Sequence, residues 1–132
     1  MVGKMLSRRG IVGSGLAGSL ALLYGTSVGG KRTDVVVPVT DSLSCQEVLI
    51  PIRVVYGLPK WAYPRGGVCV GRTFLTGRRP TKKILQHEAR HVLQWRRHGL
   101  TMPIRYWAAG SDPFTNRFEI EADLDEGGYC TP

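Results

Sequence analysis

Charged and uncharged positions divide the chain into three zones. Ile11 to Gly30 run for twenty residues without a charge, directly after a stretch that holds Lys4, Arg8 and Arg9 and no acid. Three β-rich runs follow: Val35-Val36-Val37-Pro38-Val39, Leu49-Ile50-Pro51-Ile52-Arg53-Val54-Val55-Tyr56, and Val68-Cys69-Val70-Gly71-Arg72-Thr73-Phe74-Leu75. Branched and aromatic side chains suit a pleated, half-buried surface. Pro38 removes a ladder donor and marks the first run as an edge strand or extended arm, and Pro51 restricts the second in the same way. In the third, Val68, Val70 and Thr73 cannot share one face, so a bulge at Gly71 is expected to reset the register. Gly57 to Gly67 reads as loop, with Trp61 and Tyr63 as anchors onto the core.

Helical spacing then takes over. Ile84, Leu85, Val92 and Trp95 recur on one face, Thr81 can cap the start, and Gly99 stands where a glycine ends a helix. Arg96, Arg97 and His98 suit the negative end of its dipole. Residues 100 to 112 form an amphipathic connection with room for a short helix, and Phe114 to Glu126 is a second helix closing at Gly127-Gly128. The pattern predicts an α+β fold: a small antiparallel or mixed sheet packed on the helix of residues 82 to 98 and on a second, C-terminal helix, preceded by an apolar N-terminal leader helix. Residues 1–30 and 31–132 are thus expected to be distinct parts.

A basic start followed by an apolar run is an export signal or a membrane anchor. Ser7-Arg8-Arg9-Gly10-Ile11-Val12 resembles a twin-arginine signal peptide, whose apolar region is mild. Twenty uncharged residues also reach bilayer-spanning length, and no Ala-x-Ala cleavage site appears, Ser27-Val28-Gly29 being the nearest substitute. Cleaved signal and retained membrane tether through residues 11–30 both stand, with a buried helix of a soluble fold third. Under the first two, residues 31–132 are exported or membrane-anchored outside the cytoplasm.

Charge adds a polarity. The 132 residues carry a net +8, yet Arg53 to Arg105 hold twelve basic residues against Glu88 alone, while Asp112 to Glu126 hold six acids against Arg117. No recognition motif accompanies the basic half, so nucleic acid is not an expected partner. Cys45, Cys69 and Cys130 match neither a zinc knuckle nor a dense disulfide framework; Cys45 with Cys69 is the pair expected if one forms.

The chemistry concentrates in Ile84-Leu85-Gln86-His87-Glu88-Ala89-Arg90-His91. On a helix, residues four apart share a face, so His87 and His91 can present imidazole nitrogens to one ion. A catalytic zinc site needs a third protein ligand and an open position for water, and Glu88, one residue round from His87, is placed to take a proton from that water. The third ligand is expected from Phe118 to Asp125. Glu119 with Asp123, and Glu121 with Asp125, are the two pairs at helical spacing; in either, the glutamate would bind metal and the aspartate would hold a histidine in one tautomer.

His-Glu-Ala-Arg-His followed by Glu-Ile-Glu-Ala-Asp resembles the gluzincins, zinc metallopeptidases with two histidines of His-Glu-x-x-His and a glutamate from a later helix. Residues 66 to 126 are similar to the short minigluzincin-like proteins. The resemblance implies Zn2+ as cofactor, a peptide or protein substrate, His87 and His91 as ligands, and Glu88 as general base. The pattern of the membrane CAAX-processing gluzincins selects Glu119 as third ligand with Asp123 behind it; that of thermolysin-like enzymes selects Glu121. The first is preferred. Tyr106, His98 and Tyr129 are the candidates for stabilising the transition state, and Val68 to Leu75 for pairing with an extended substrate. Arg90 departs from the family, which carries uncharged residues there; pointed into the cleft, it would leave a zinc-stabilised peptide- or protein-binding module without catalysis as the alternative function.

Overall fold

The computed structural model describes residues 8–41, 44–63, 67–112 and 114–122, with side chains from residue 15 onward. It is an α+β fold around one four-stranded mixed sheet. Helix α1 (Arg8–Ser27) leads into β1 (Lys31–Thr40) and β2 (Glu47–Tyr56), followed by β3 (Val68–Val70), β4 (Thr73–Leu75), α2 (Lys82–His98), α3 (Met102–Ala108) and α4 (Arg117–Ala122).

The sheet order is β1-β2-β4-β3. Strands β1 and β2 form a long antiparallel hairpin, β2 runs parallel to β4, and β3 is antiparallel to β4 at the edge. β1 is an edge strand, as Pro38 required. Pro51 is accommodated inside β2 because β4 flanks that strand only at Arg53 to Val55. At Pro51 the missing donor therefore faces no strand on the β4 side.

One face of the sheet is covered along its length, and the other only around Val55 and Leu75, Val36 and Leu49 of that second face being exposed. On one face Val37, Val39, Ile50, Ile52, Val54 and Phe74 pack on Ala89, Val92 and Leu93 of α2. On the other, Val55, Leu58, Ala62 and Leu75 meet Ala21, Leu22 and Val28 at α1 and the turn after it. Close approach there depends on glycine: a Cβ placed at Gly25 would lie 2.8 Å from Leu75 Cδ2 and 2.9 Å from Val55 Cγ1. Two hydrogen bonds tie α1 down, Thr73 Oγ1 to Gly18 O at 2.7 Å and Tyr24 Oη to Ala62 O at 2.6 Å. Among the described residues no helix is long and apolar enough to cross a membrane.

Four local expectations are corrected. Val68 to Leu75 is not one bulged strand but a tight hairpin: Val70 pairs with Thr73, and Gly71 turns the chain at φ +59°, a conformation that glycine adopts without a Cβ clash. Trp61 does not anchor its loop; it is exposed, while Leu58 and Ala62 fill the core and Tyr63 packs beside them. Ile84, counted on the buried face of α2, is exposed. Cys45 is disulfide-bonded, but Cys69 is a free thiol. Cys45 follows β1 and Cys69 lies on β3, at opposite edges of the sheet. Strand spacings of about 4.8 Å put those edges roughly 14 Å apart, beyond the ~7 Å that a disulfide spans. Cys130 lies outside the described residues.

Candidate metal centre

Helix α2 begins and ends where its caps dictate. Thr81 Oγ1 accepts from Ile84 N at 3.3 Å, and Gly99, at φ +57°, donates its N–H to Trp95 O. Between these caps His87 and His91 face the same way, with Nε2 atoms 3.0 Å apart. The third group comes from α4: Glu119 Oε1 lies 2.9 Å from His91 Nε2, and Oε2 lies 3.5 Å from His87 Nε2.

Ligands about 2.05 Å from a tetrahedral zinc lie roughly 3.3 Å from one another. The His91–His87 and His91–Glu119 Oε1 separations of 3.0 and 2.9 Å fall slightly short of it, and the 3.5 Å from His87 is to the other carboxylate oxygen, Oε2. These three residues form a cluster able to hold a metal ion. With only lone pairs between them the three would repel, so either a ring N–H or a metal ion has to sit among them. The Glu119 carboxyl is held well below the usual carboxylate range, chiefly by its hydrogen bonds to His87 and His91. It is therefore an anion throughout the neutral range.

Gln94, completely buried, fixes the chemistry of His91. Its amide nitrogen donates to Phe118 O at 3.0 Å and Glu121 Oε1 at 3.0 Å. Its oxygen therefore faces His91 Nδ1 at 2.8 Å and can only accept. Nδ1 therefore carries a hydrogen, so in the neutral ring Nε2 is the nitrogen with a lone pair to offer a metal, while a hydrogen on Nε2 as well is what lets His91 donate to Glu119. Sequence reasoning assigned this orienting role to an aspartate on the second helix and missed Gln94. Its position three residues after His91, on the same helical face, was the available signal.

The two glutamates of α4 are separated by their partners. Glu121 turns away from the histidines to accept from Gln94 and from Arg97 Nη1 at 3.3 Å, while Arg97 Nη2 reaches the buried Asp41 at 2.7 Å. Arg97 thus bolts the end of β1 to α4. Arg90, half-buried, donates from Nη1 to Ala122 O on α4 at 3.2 Å.

Asn116 sets the start of α4. Nearly fully buried at 1% exposure, it accepts from Phe118 N at 2.9 Å and Glu119 N at 3.4 Å, while its amide donates to Tyr106 O and Gly110 O. One side chain caps α4 and holds it to the end of α3. The helix opens at Arg117 instead of Phe114 because Asn116 is the cap; Asp112 serves the preceding turn, accepting from Phe114 N. Residues beyond Ala122, including Asp123, Asp125 and Tyr129, lie outside the described residues.

Two of the remaining candidates separate clearly. Tyr106 Oη donates to Glu119 Oε1 at 3.2 Å, and its ring stands 6.5 Å from that of His91. Burial, followed by the charge of Glu119, pushes the Tyr106 hydroxyl up to about 12, and Glu88 adds to this. His98 instead rests edge-on against Phe118 and is not part of the cluster. Glu88 is buried, and its charge acts on both Tyr106 and Cys69. No protein-family model, curated protein or solved structure matches the chain, so any functional reading has to stand on this geometry.

Proposed function

We propose that the protein is a gluzincin-like zinc peptidase, with His87, His91 and Glu119 as metal ligands and Glu88 as general base. The observation that carries the reading is the convergence of two imidazole nitrogens from α2 and one carboxylate from α4, all within 4.8 Å of one another, with the buried Glu88 next to His87 in the chain. A bound zinc ion would supply Lewis acidity, lowering the pKa of water and polarising a carbonyl. The chain's own residues do the rest. Glu88 takes the proton from the attacking water and delivers it to the departing amine. Tyr106, whose raised pKa keeps its hydroxyl protonated, offers a hydrogen to the oxyanion that forms. Gln94 keeps His91 in the one tautomer that leaves Nε2 free to ligate. Arg90 has a partner in Ala122 O on α4, and a zinc-stabilised binding module without catalysis is the second reading.

The test pairs metal content with turnover. Purified protein should hold close to one zinc per chain, and it should cleave members of a mixed peptide library. Glu88→Gln should keep the zinc and lose cleavage by at least about a hundredfold. Absence of zinc after reconstitution would remove the site. Zinc without cleavage in either form, but with peptide binding, would replace the peptidase with the binding module.

A further inference from the structure

Hydrogen-bond parity fixes what β1 presents at the outer edge of the sheet. Arg53 N donates to Arg72 O, and Val55 O accepts from Thr76 N, so Arg53 and Val55 turn their backbone groups toward the β4 side. In an antiparallel ladder the residues opposite them also point away from the shared edge. Those residues are Asp34 and Arg32. Arg32, Asp34, Val36 and Pro38 therefore direct their backbone groups outward from β1, while Thr33, Val35 and Val37 bond to β2. Both prolines fit this parity: Pro38 belongs to the outward set and Pro51 lies opposite Val36, so neither removes a bond from the hairpin. Among the described residues, no hydrogen bond is made to the outward N–H and C=O groups of Arg32, Asp34 and Val36. Such an edge is a template for another strand.

The side chains along the edge specify which strand. Arg32 and Asp34 are exposed on one face and joined through two contacts of 3.0 Å. Laid against its own reversed copy about Thr33, β1 sets Arg32 opposite Asp34, Asp34 opposite Arg32 and Thr33 opposite Thr33. The Arg32 and Asp34 pairs are then the hydrogen-bonded ones, as the outward parity requires, and opposite charges alternate across the axis as well as along each strand. Neighbouring registers fit worse. Centred on Arg32 or Asp34, the pairing puts like charges face to face; centred on Val35, it sets Arg32 against Pro38, which has no N–H to give. About Thr33, Val36, 62% exposed, comes opposite Gly30, which has no side chain to obstruct it.

We propose that the protein forms a symmetric dimer by antiparallel pairing of β1 with β1 of a second copy, centred on Thr33. The two four-stranded sheets join into one continuous sheet, through a patch that is its own complement. A strand from an unrelated protein is the weaker occupant, because a base and an acid two residues apart match their own reverse. This pairing does not depend on the metal centre.

Sedimentation equilibrium on the full-length protein, at concentrations up to about 1 mM, measures it. Self-association is expected. Arg32→Asp or Asp34→Arg alone should weaken it about tenfold or more, since each sets like charges across both pairs while changing an exposed side chain. An equimolar mixture of the two variants should recover it as a heterodimer, two acids on one strand meeting two bases on the other. Thr33→Cys should cross-link between copies on mild oxidation, because residues opposed at the axis lie within disulfide reach, and Val35→Cys should not. Protein that stays monomeric throughout the range, a dimer indifferent to both charge reversals, or variants that fail to pair when mixed would overturn the proposal. Cross-linking at Val35→Cys in preference to Thr33→Cys would overturn it too.

Discussion

His91 Nδ1 donates to Gln94 Oε1 across 2.8 Å inside the core, and the other end of that amide is held by Phe118 O and Glu121. A side chain that never touches the ion position thereby decides which nitrogen of His91 is available to it. Gln94→Leu removes the acceptor at similar volume and should weaken zinc binding about 10- to 100-fold. Gln94→Glu keeps the acceptor but faces Glu121, so it should retain more of the affinity while losing stability. Competition against a chromophoric chelator gives the order; wild-type affinity in the leucine variant would reduce Gln94 to a packing role.

The two carboxylates of α4 should separate cleanly. Glu119→Gln is expected to abolish stoichiometric zinc binding at neutral pH, because it removes the anion of the cluster. Glu121→Gln should keep the zinc and lower stability by about 1 kcal/mol through its weakened bond to Arg97. Metal analysis and chemical denaturation on the same preparations distinguish the two effects.

Arg90→Met tests the unusual basic residue within the motif. Losing its bond to Ala122 O should cost about 1 kcal/mol of stability and loosen zinc binding, with no improvement in turnover per bound zinc. A gain in turnover at unchanged zinc affinity would mean that the guanidinium repels charge in the cleft after all.

Cys69 should be nearly inert in the folded protein. Its thiol lies against Gly71 O and Glu88 O, and burial pushes its pKa well up, with the Glu88 charge adding to the effect. The thiolate is the reactive species, so alkylation at mildly alkaline pH should be at least about a hundredfold slower than in denaturant. Mass spectrometry after timed quenching measures it.

Stability should also fall on mild acidification. The pKa of His98 is lowered, first by burial and then by Arg105, Arg97 and Arg117. The unfolded chain therefore binds a proton there before the folded chain does. Stability is intact above about pH 6.5, the unfolded value, and declines as pH falls from there toward the lower folded value. Glu119, also lowered, adds its loss only below about pH 4.5, in a separate window. His98→Asn should flatten the upper slope of a thermal-midpoint profile and leave the lower one.

Local signals read well from the sequence where one residue dictates one conformation. Thr81 and Gly99 bounded α2 correctly, Pro38 marked an edge, and the spacing of His87 and His91 put both on one face. What failed were choices settled by distant partners. Gly71 permits either a bulge or a turn, and the pairing of Val70 with Thr73 decides. Trp61 is large and apolar, but the loop places Leu58 and Ala62 on the core instead. Glu119 and Glu121 were equally spaced from their aspartates, and only Gln94 and Arg97 on the facing helix tell them apart. The role of Arg90 depended on a carbonyl 32 residues away.

α4 is described over Arg117–Ala122, and over that stretch Asn116, Arg90, Gln94 and Arg97 tie it to its neighbours. An ion shared by Glu119 and the two histidines would be one more tie across the same gap, and binding to the folded chain alone would stabilise it by mass action. Metal supply would then govern the lifetime of the protein, with starved copies turning over first.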